Sequence, residues 1–176
     1  MSLSARRLDA TDAAAFQALR LEGFRLQERE FRFAPEDEAG FALTDIGARL
    51  ARDFVMGVFA GGRMIGVAGL TRFAGVKVRH KALLWGMYVR VEFRGSGAAD
   101  MLMSAIVEHA DGLVETITLT VIAENRRAIR FYERWGFAIH GVEPVSVKLP
   151  NGDYLGEALM IRRHEGATFG ASAAVR

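Results

Sequence analysis

Two groups of residues in this 176-residue chain have types and spacing suited to chemistry. The first is Arg94-Gly95-Ser96-Gly97-Ala98-Ala99, between the apolar run Ala82 to Val89 and a stretch with helical spacing. Glycine has no Cβ, so the backbone at Gly95 and Gly97 can approach a ligand closely, and the first N–H groups of the following helix have no partners within it. The positive end of the helix macrodipole and the permanent charge of Arg94 make those donors an anion site, best suited to a diphosphate. The alternative is a turn that merely joins a strand to a helix. A P-loop is excluded because Ala98-Ala99 follows Gly97 where Lys-Ser/Thr is needed. A dinucleotide fingerprint is excluded because Leu119-Thr120-Val121-Ile122 ends without a ribose-binding carboxylate. The second group, Asn125, Ala128 and Tyr132, recurs at spacings of three and four and so shares one helix face. A core stripe is ordinarily aliphatic, so an amide, a small residue and a phenol in line point to a ligand lying along that face. The alternative is a helix cap plus a buried tyrosine whose hydroxyl is satisfied.

The flanking segments must position these groups. Ala5 to Leu8 reads as a strand, and Thr11 or Asp12 as the cap of a helix with Ala15, Phe16, Leu19 and Phe24 inside. From Arg25 to Glu38 charges alternate with aromatics up to Ala34-Pro35, the pattern of a mobile flap; the alternative is a helix end that tucks Phe31 and Phe33 into the core. A helix is expected over Thr44 to Arg52. Phe54–Ala60 and Met64–Leu70, joined by Gly61-Gly62, form a hairpin whose nearly continuous apolar runs require cover on both faces. Ala82 to Val89 is the next strand, with Gly86 a candidate bulge. Met101, Leu102, Ala105, Ile106 and His109 mark a helix ending near Asp111-Gly112, with His109 partly exposed and inert. Glu115 to Ile122 should run parallel to the strand before the glycine loop, since a helix intervenes. Asn125 starts a helix that ends at Trp135-Gly136. Phe137–Leu149 and Tyr154–Arg162 form an antiparallel hairpin about Pro150-Asn151-Gly152-Asp153.

Composition narrows the classes. The length suits a single domain, expected over residues 1–164, with small residues from 165 to 176 forming a frayed tail. Net charge is +2 with arginines scattered among acids, so neither a nucleic-acid face nor a membrane-binding face is expected. There is no cysteine, which removes disulfides, thiolate metal sites and an acyl-cysteine intermediate. No apolar signal core or membrane-length run occurs, and a cytoplasmic location is the default expectation.

Together the two groups resemble the GNAT superfamily of acetyltransferases, over nearly the whole chain from Ala5 to Arg163. Arg94 to Ala99 is similar to that family's Arg/Gln-x-x-Gly-x-Gly/Ala loop, and Asn125 to Phe137 to its Asn-x-x-Ala-x-x-x-Tyr-x-x-x-Gly-Phe segment. The resemblance implies an α/β (α+β) fold: a mixed, mostly antiparallel central sheet, helices on both faces, and a splayed parallel strand pair that binds CoA. It implies acetyl-CoA as acyl donor, without a metal, its diphosphate on Arg94, Gly95, Ser96, Gly97, Ala98 and Ala99. The pantetheine arm would lie between the strands ending at Val89 and Ile122, against Met87, Tyr88, Val89, Asn125 and Ala128. Tyr132 would protonate the leaving sulfur, and the Met87 N–H at the bulge would bind the thioester oxygen.

The general base is the gap. Positions where family members often carry a carboxylate resemble Leu83 and Thr120, which cannot take a proton. Glu28, Glu30, His80, Glu124 and a water chain remain, with Glu124 also serving as a helix N-terminal charge. The acceptor is expected to be a primary amine on a small molecule, a protein N-terminus or a lysine. Other readings are a non-catalytic acyl-CoA-binding regulatory module, against which Tyr132 argues, and a homodimeric scaffold built on the final hairpin. Dimerisation and catalysis are compatible.

Overall fold

The structure, a computed structural model, describes residues 2–164; the expected tail at 165–176 lies outside the described residues. Seven strands form one sheet: β1 (Leu3–Arg7), β2 (Phe54–Ala60), β3 (Arg63–Arg72), β4 (Lys81–Val89), β5 (Thr116–Ile122), β6 (Ala138–Lys148) and β7 (Tyr154–Arg163). Their spatial order is β1-β2-β3-β4-β5-β7-β6. All neighbours are antiparallel except β4 and β5, whose parallel pairing needs the crossover that α4 supplies. Helices α1 (Ala13–Leu26), α2 (Pro35–Ala39) and α3 (Leu43–Arg52) precede β2; α4 (Ala98–Ala110) joins β4 to β5, and α5 (Arg126–Arg134) joins β5 to β6.

The apolar strands are covered on both faces, as their composition requires. Phe16 and Leu19 of α1 and Leu50 of α3 pack on Val55 and Val67 from one side. Leu102, Met103 and Ile106 of α4, each 0% exposed, pack from the other on Ile117 and Met160. Removing each such side chain from water stabilises the fold by roughly 1.5–3 kcal/mol.

Several boundaries differ from the sequence reading. Asp12 is the N-cap of α1, one of the two caps expected, but its side chain makes no cap hydrogen bond there; the bonded cap lies just before it, where the Asp9 carboxylate accepts from the Thr11 N–H at 2.8 Å and Asp12 accepts from the Asp9 N–H at 3.0 Å. A 3-10 turn over Ala10–Asp12 follows, which turns Ala13 inward and leaves Ala15 exposed. In α4 the buried methionine is Met103, with Met101 only partly covered. The expected flap splits: Arg25 closes α1, Pro35 opens α2 at its first turn, where its missing N–H costs nothing, and only residues 27–34 form a loop. Within it Phe31 packs edge-on against Phe24 at 5.3 Å, whereas Phe33 is 48% exposed.

Candidate active site

A cleft of about 1010 Å³ opens in the sheet because β4 and β5 pair over only Lys81–Leu83 and Thr116–Thr118 and then part. A bulge in β4 aids the parting. Gly69 opposes Trp85 and Val67 opposes Tyr88, so Gly86 and Met87 together face Ala68. Gly86 has φ +65, and a Cβ there would collide with the guanidinium of Arg20, which Glu38 holds at 2.6 Å. Glycine at this position is therefore required by both conformation and space, and the expected bulge is where the sequence put it.

The glycine loop has the geometry of an anion cradle. Gly95 (φ +79) and Gly97 (φ +88) are left-handed, with open space where a Cβ would be, and Gly97 is the N-cap of α4. Ser96 Oγ donates to the Phe93 carbonyl at 2.7 Å, fixing the turn. Arg94 donates to Gln27 Oε1 at 3.0 Å and lies 3.5 Å from Glu30 Oε2. The same Glu30 oxygen takes a 2.8 Å hydrogen bond from Arg127 at the start of α5. Burial, then the neighbouring Arg127, holds the Arg94 pKa below the ordinary guanidinium value. A loop carboxylate thus occupies the space between two arginines beside the cradle, the position an anionic phosphate oxygen would favour.

Asn125, Ala128 and Tyr132 all line the cleft. Asn125 Oδ1 accepts from the Ala128 N–H at 3.1 Å, so it is also the cap of α5. The satisfied tyrosine hydroxyl of the alternative reading is not found: the Tyr132 oxygen has no hydrogen-bond partner among the described residues, while its ring packs edge-on against Phe131 and Phe137. Burial pushes its pKa up to about 12, opposed by the positive charge of Arg127. It is a protonated donor at neutral pH. Met87, Tyr88 and Val89 also border the cleft, although the Tyr88 side chain turns toward α1, its hydroxyl 3.5 Å from Glu22.

Leu83 and Thr120 border the cleft without a proton-accepting group, as expected; Glu28, His80 and Glu124 do not reach it, and Glu30 is engaged by the two arginines. Asp45, Asp53, Asp100 and Glu157 also line the cleft; none was a candidate base from the sequence, and Glu157 is the most buried of them. Glu157 of β7 is 2% exposed and stands beside Ile122 of β5. Its Oε2 accepts from Ser146 Oγ at 2.5 Å and meets Arg32 at 2.9 Å, leaving Oε1 without a partner among the described residues. The available signal was a single glutamate in the otherwise apolar strand Leu155 to Ile161. Among the described residues no three His, Asp or Glu side chains form a metal set, and no helix is long and apolar enough to cross a membrane.

Comparison with known proteins agrees with this geometry. The family model described as Acetyltransferase (GNAT) family matches residues 20–137. The L-amino acid N-acetyltransferase AaaT of Escherichia coli strain K12 is 34% identical over 80 residues, 44% of this chain and 49% of that protein, so the match spans about half the relative's length. Among solved structures, an acetyltransferase of the GNAT family from Streptococcus pneumoniae superposes with TM-score 0.83 at 20% identity, over 93% of this chain and 100% of that one. The putative acetyltransferase yncA from Salmonella typhimurium, solved with its cofactor acetyl-CoA, gives TM-score 0.77 at 19% identity over 98% and 100%.

Proposed function

The chain belongs to the acetyltransferase (GNAT) family, and on that footing we propose that it moves an acetyl group from acetyl-CoA directly to a primary amine. The observation that carries the reading is the meeting, in one cleft, of an arginine-flanked glycine cradle with a phenol whose hydroxyl has no protein partner. The residues fit the donor: Arg94 and Arg127 already grip an anionic oxygen, and Gly95 and Gly97 leave open space on the loop. Ser96, Ala98 and Ala99 complete the diphosphate cradle, and Met87, Tyr88, Val89, Asn125 and Ala128 border the path of the pantetheine arm.

Acetyl-CoA, when bound, supplies a thioester whose carbonyl carbon gains a bond to the amine nitrogen as its bond to sulfur breaks. The Met87 N–H in the bulge is the donor for the carbonyl oxygen, and Tyr132 gives a proton or hydrogen bond to the departing sulfur. An alkylammonium acceptor must first lose a proton. Glu157 Oε1, which makes no hydrogen bond among the described residues, can take it, while Ser146 and Arg32 hold Oε2 in place. Glu157 therefore fills the gap left at Leu83 and Thr120. With no cysteine in the sequence, direct transfer needs no acyl-cysteine intermediate.

The test is turnover of acetyl-CoA over an amine panel, followed by thiol release and mass spectrometry of the products. N-acetylated product with equimolar thiol is expected. Tight CoA binding with no product from any amine would instead establish a non-catalytic acyl-CoA-binding module.

A further inference from the structure

On the wall of the cleft built by α1 and α3, away from the glycine cradle, lies a second set of charges. Arg20 gives its Nε and Nη2 to the two oxygens of Glu38 at 2.6 and 2.5 Å, and both residues are buried. Arg49, on α3, approaches the same carboxylate only to 3.7 Å, and its guanidinium makes no hydrogen bond among the described residues. It sits over the Trp85 ring, 4.1 Å from the centroid, with 29% of its side chain exposed. Trp85 is itself fixed, its indole N–H on Thr71 Oγ1 at 2.7 Å.

Arg20, Arg49 and Arg52 face Glu38, Asp53 and Asp45 on this wall, three charges of each sign, but their pairing is uneven. Two guanidinium groups share one carboxylate that Arg20 already occupies fully. Asp53, on the same wall, is held by Arg52 at 3.1 and 3.2 Å. Asp45, one helical turn before Arg49, is exposed and within ion-pair distance of no described cation. Burial and the nearby Arg20 hold the Arg49 pKa below the usual guanidinium value. The group still carries its charge at neutral pH, a fork of donors on the cleft wall with its carboxylate partner 3.7 Å away and no hydrogen bond among the described residues.

We infer that Arg49 binds the carboxylate of the acceptor, so that the acceptor is a free α-amino acid and not a protein N-terminus or a lysine side chain. The inference rests on the N-acetyltransferase reading above. Trp85, under Arg49, directly precedes the bulge at Gly86 and Met87, so the anion site and the proposed reacting centre are neighbours along β4. Arg49 and the bulge line the same cleft, which suits an acceptor that carries an amine and a carboxylate on one small molecule. An α-amino acid separates them by two bonds; a peptide N-terminus has spent that carboxylate in an amide, and a lysine ε-amine lies far from one. Glu157 Oε1 offers the complementary charge to the ammonium end, so a zwitterion finds opposite charges within one cleft.

Isothermal titration of CoA-loaded protein with the standard L-amino acids and their C-terminal amides reads this without needing turnover. The acids are expected to bind about ten- to a hundredfold tighter than the amides, the range of a charge-assisted fork. Arg49→Met, which keeps an apolar stem on Trp85, should erase the preference while leaving CoA affinity unchanged, and Arg49→Lys should retain part of it. Equal binding of acids and amides by the wild type, no binding of any acid, or a preference that survives Arg49→Met would each overturn the inference. If the acetyltransferase reading alone is wrong, the preference persists and no N-acetyl product forms.

Discussion

Replacing Tyr132 with phenylalanine removes one hydroxyl and keeps the ring whose centroid lies 5.6 Å from Phe131 and 5.8 Å from Phe137. Because the hydroxyl has no protein partner, no buried hydrogen bond is lost, and stability at neutral pH should change by less than about 0.5 kcal/mol. Catalysis should respond differently. A phenol at about 12 is some 3.5 units above the ordinary thiol near 8.5, so full proton transfer would be uphill by about 4.8 kcal/mol if the sulfur kept its solution value. The hydroxyl therefore acts mainly by hydrogen-bonding the developing thiolate, worth roughly 1.5–3 kcal/mol, and kcat should fall about ten- to a hundredfold. The raised pKa also has a stability signature. Folded protein keeps the proton between the ordinary value near 10 and about 12, whereas the unfolded chain loses it, so this contribution is complete below pH 10 and is lost as pH rises toward 12. The loss is at most about 2.7 kcal/mol and should be absent in Tyr132→Phe. Steady-state thiol release, CoA titration and urea midpoints at pH 7.5 and 11 measure all three quantities. Turnover per folded molecule within threefold of wild type, with equal acid and alkaline stability profiles, would refute the assigned role.

Gly97→Val should cost about 1–3 kcal/mol, because φ +88 is a left-handed conformation hostile to a β-branched residue, and should weaken CoA binding more than tenfold by filling the open cradle. Unchanged affinity in a folded variant, read by titration, contradicts the diphosphate assignment. Glu30→Gln should tighten CoA binding several-fold at low salt, since the Glu30 carboxylate competes for Arg94 and Arg127; weaker binding would mean that Glu30 positions the arginines instead. Glu157→Gln keeps an acceptor for Ser146 but removes the charge, and should lower kcat about a hundredfold while leaving CoA affinity intact. Wild-type turnover in that variant would return the base to a water chain.

The glycine cradle, the bulge and the line Asn125, Ala128, Tyr132 were legible because each is set by local rules. Positive φ selects glycine, a helix repeats every 3.6 residues, and adjacent parallel strands need a long crossover between them. The bonded cap at Asp9 was missed because Asp9, Thr11 and Asp12 are all cap-forming residue types within four positions. The charges that complete the site were not legible. Glu30 meets Arg127 across 97 positions of chain, and Arg49 reaches Trp85 and Glu38 from separate elements. Glu157 enters the cleft only because β7, not β6, pairs with β5, placing it beside Ile122. The sequence by itself determined most of the elements, α2 excepted, together with the parallel pair and the glycine turn before α4, all consequences of neighbouring residues and connectivity. Which buried carboxylate lines the cleft, which arginine keeps donors without a hydrogen bond and which tyrosine hydroxyl lacks a partner were decided by strand order and burial, because charge pairing depends on distances in space that residue spacing does not contain.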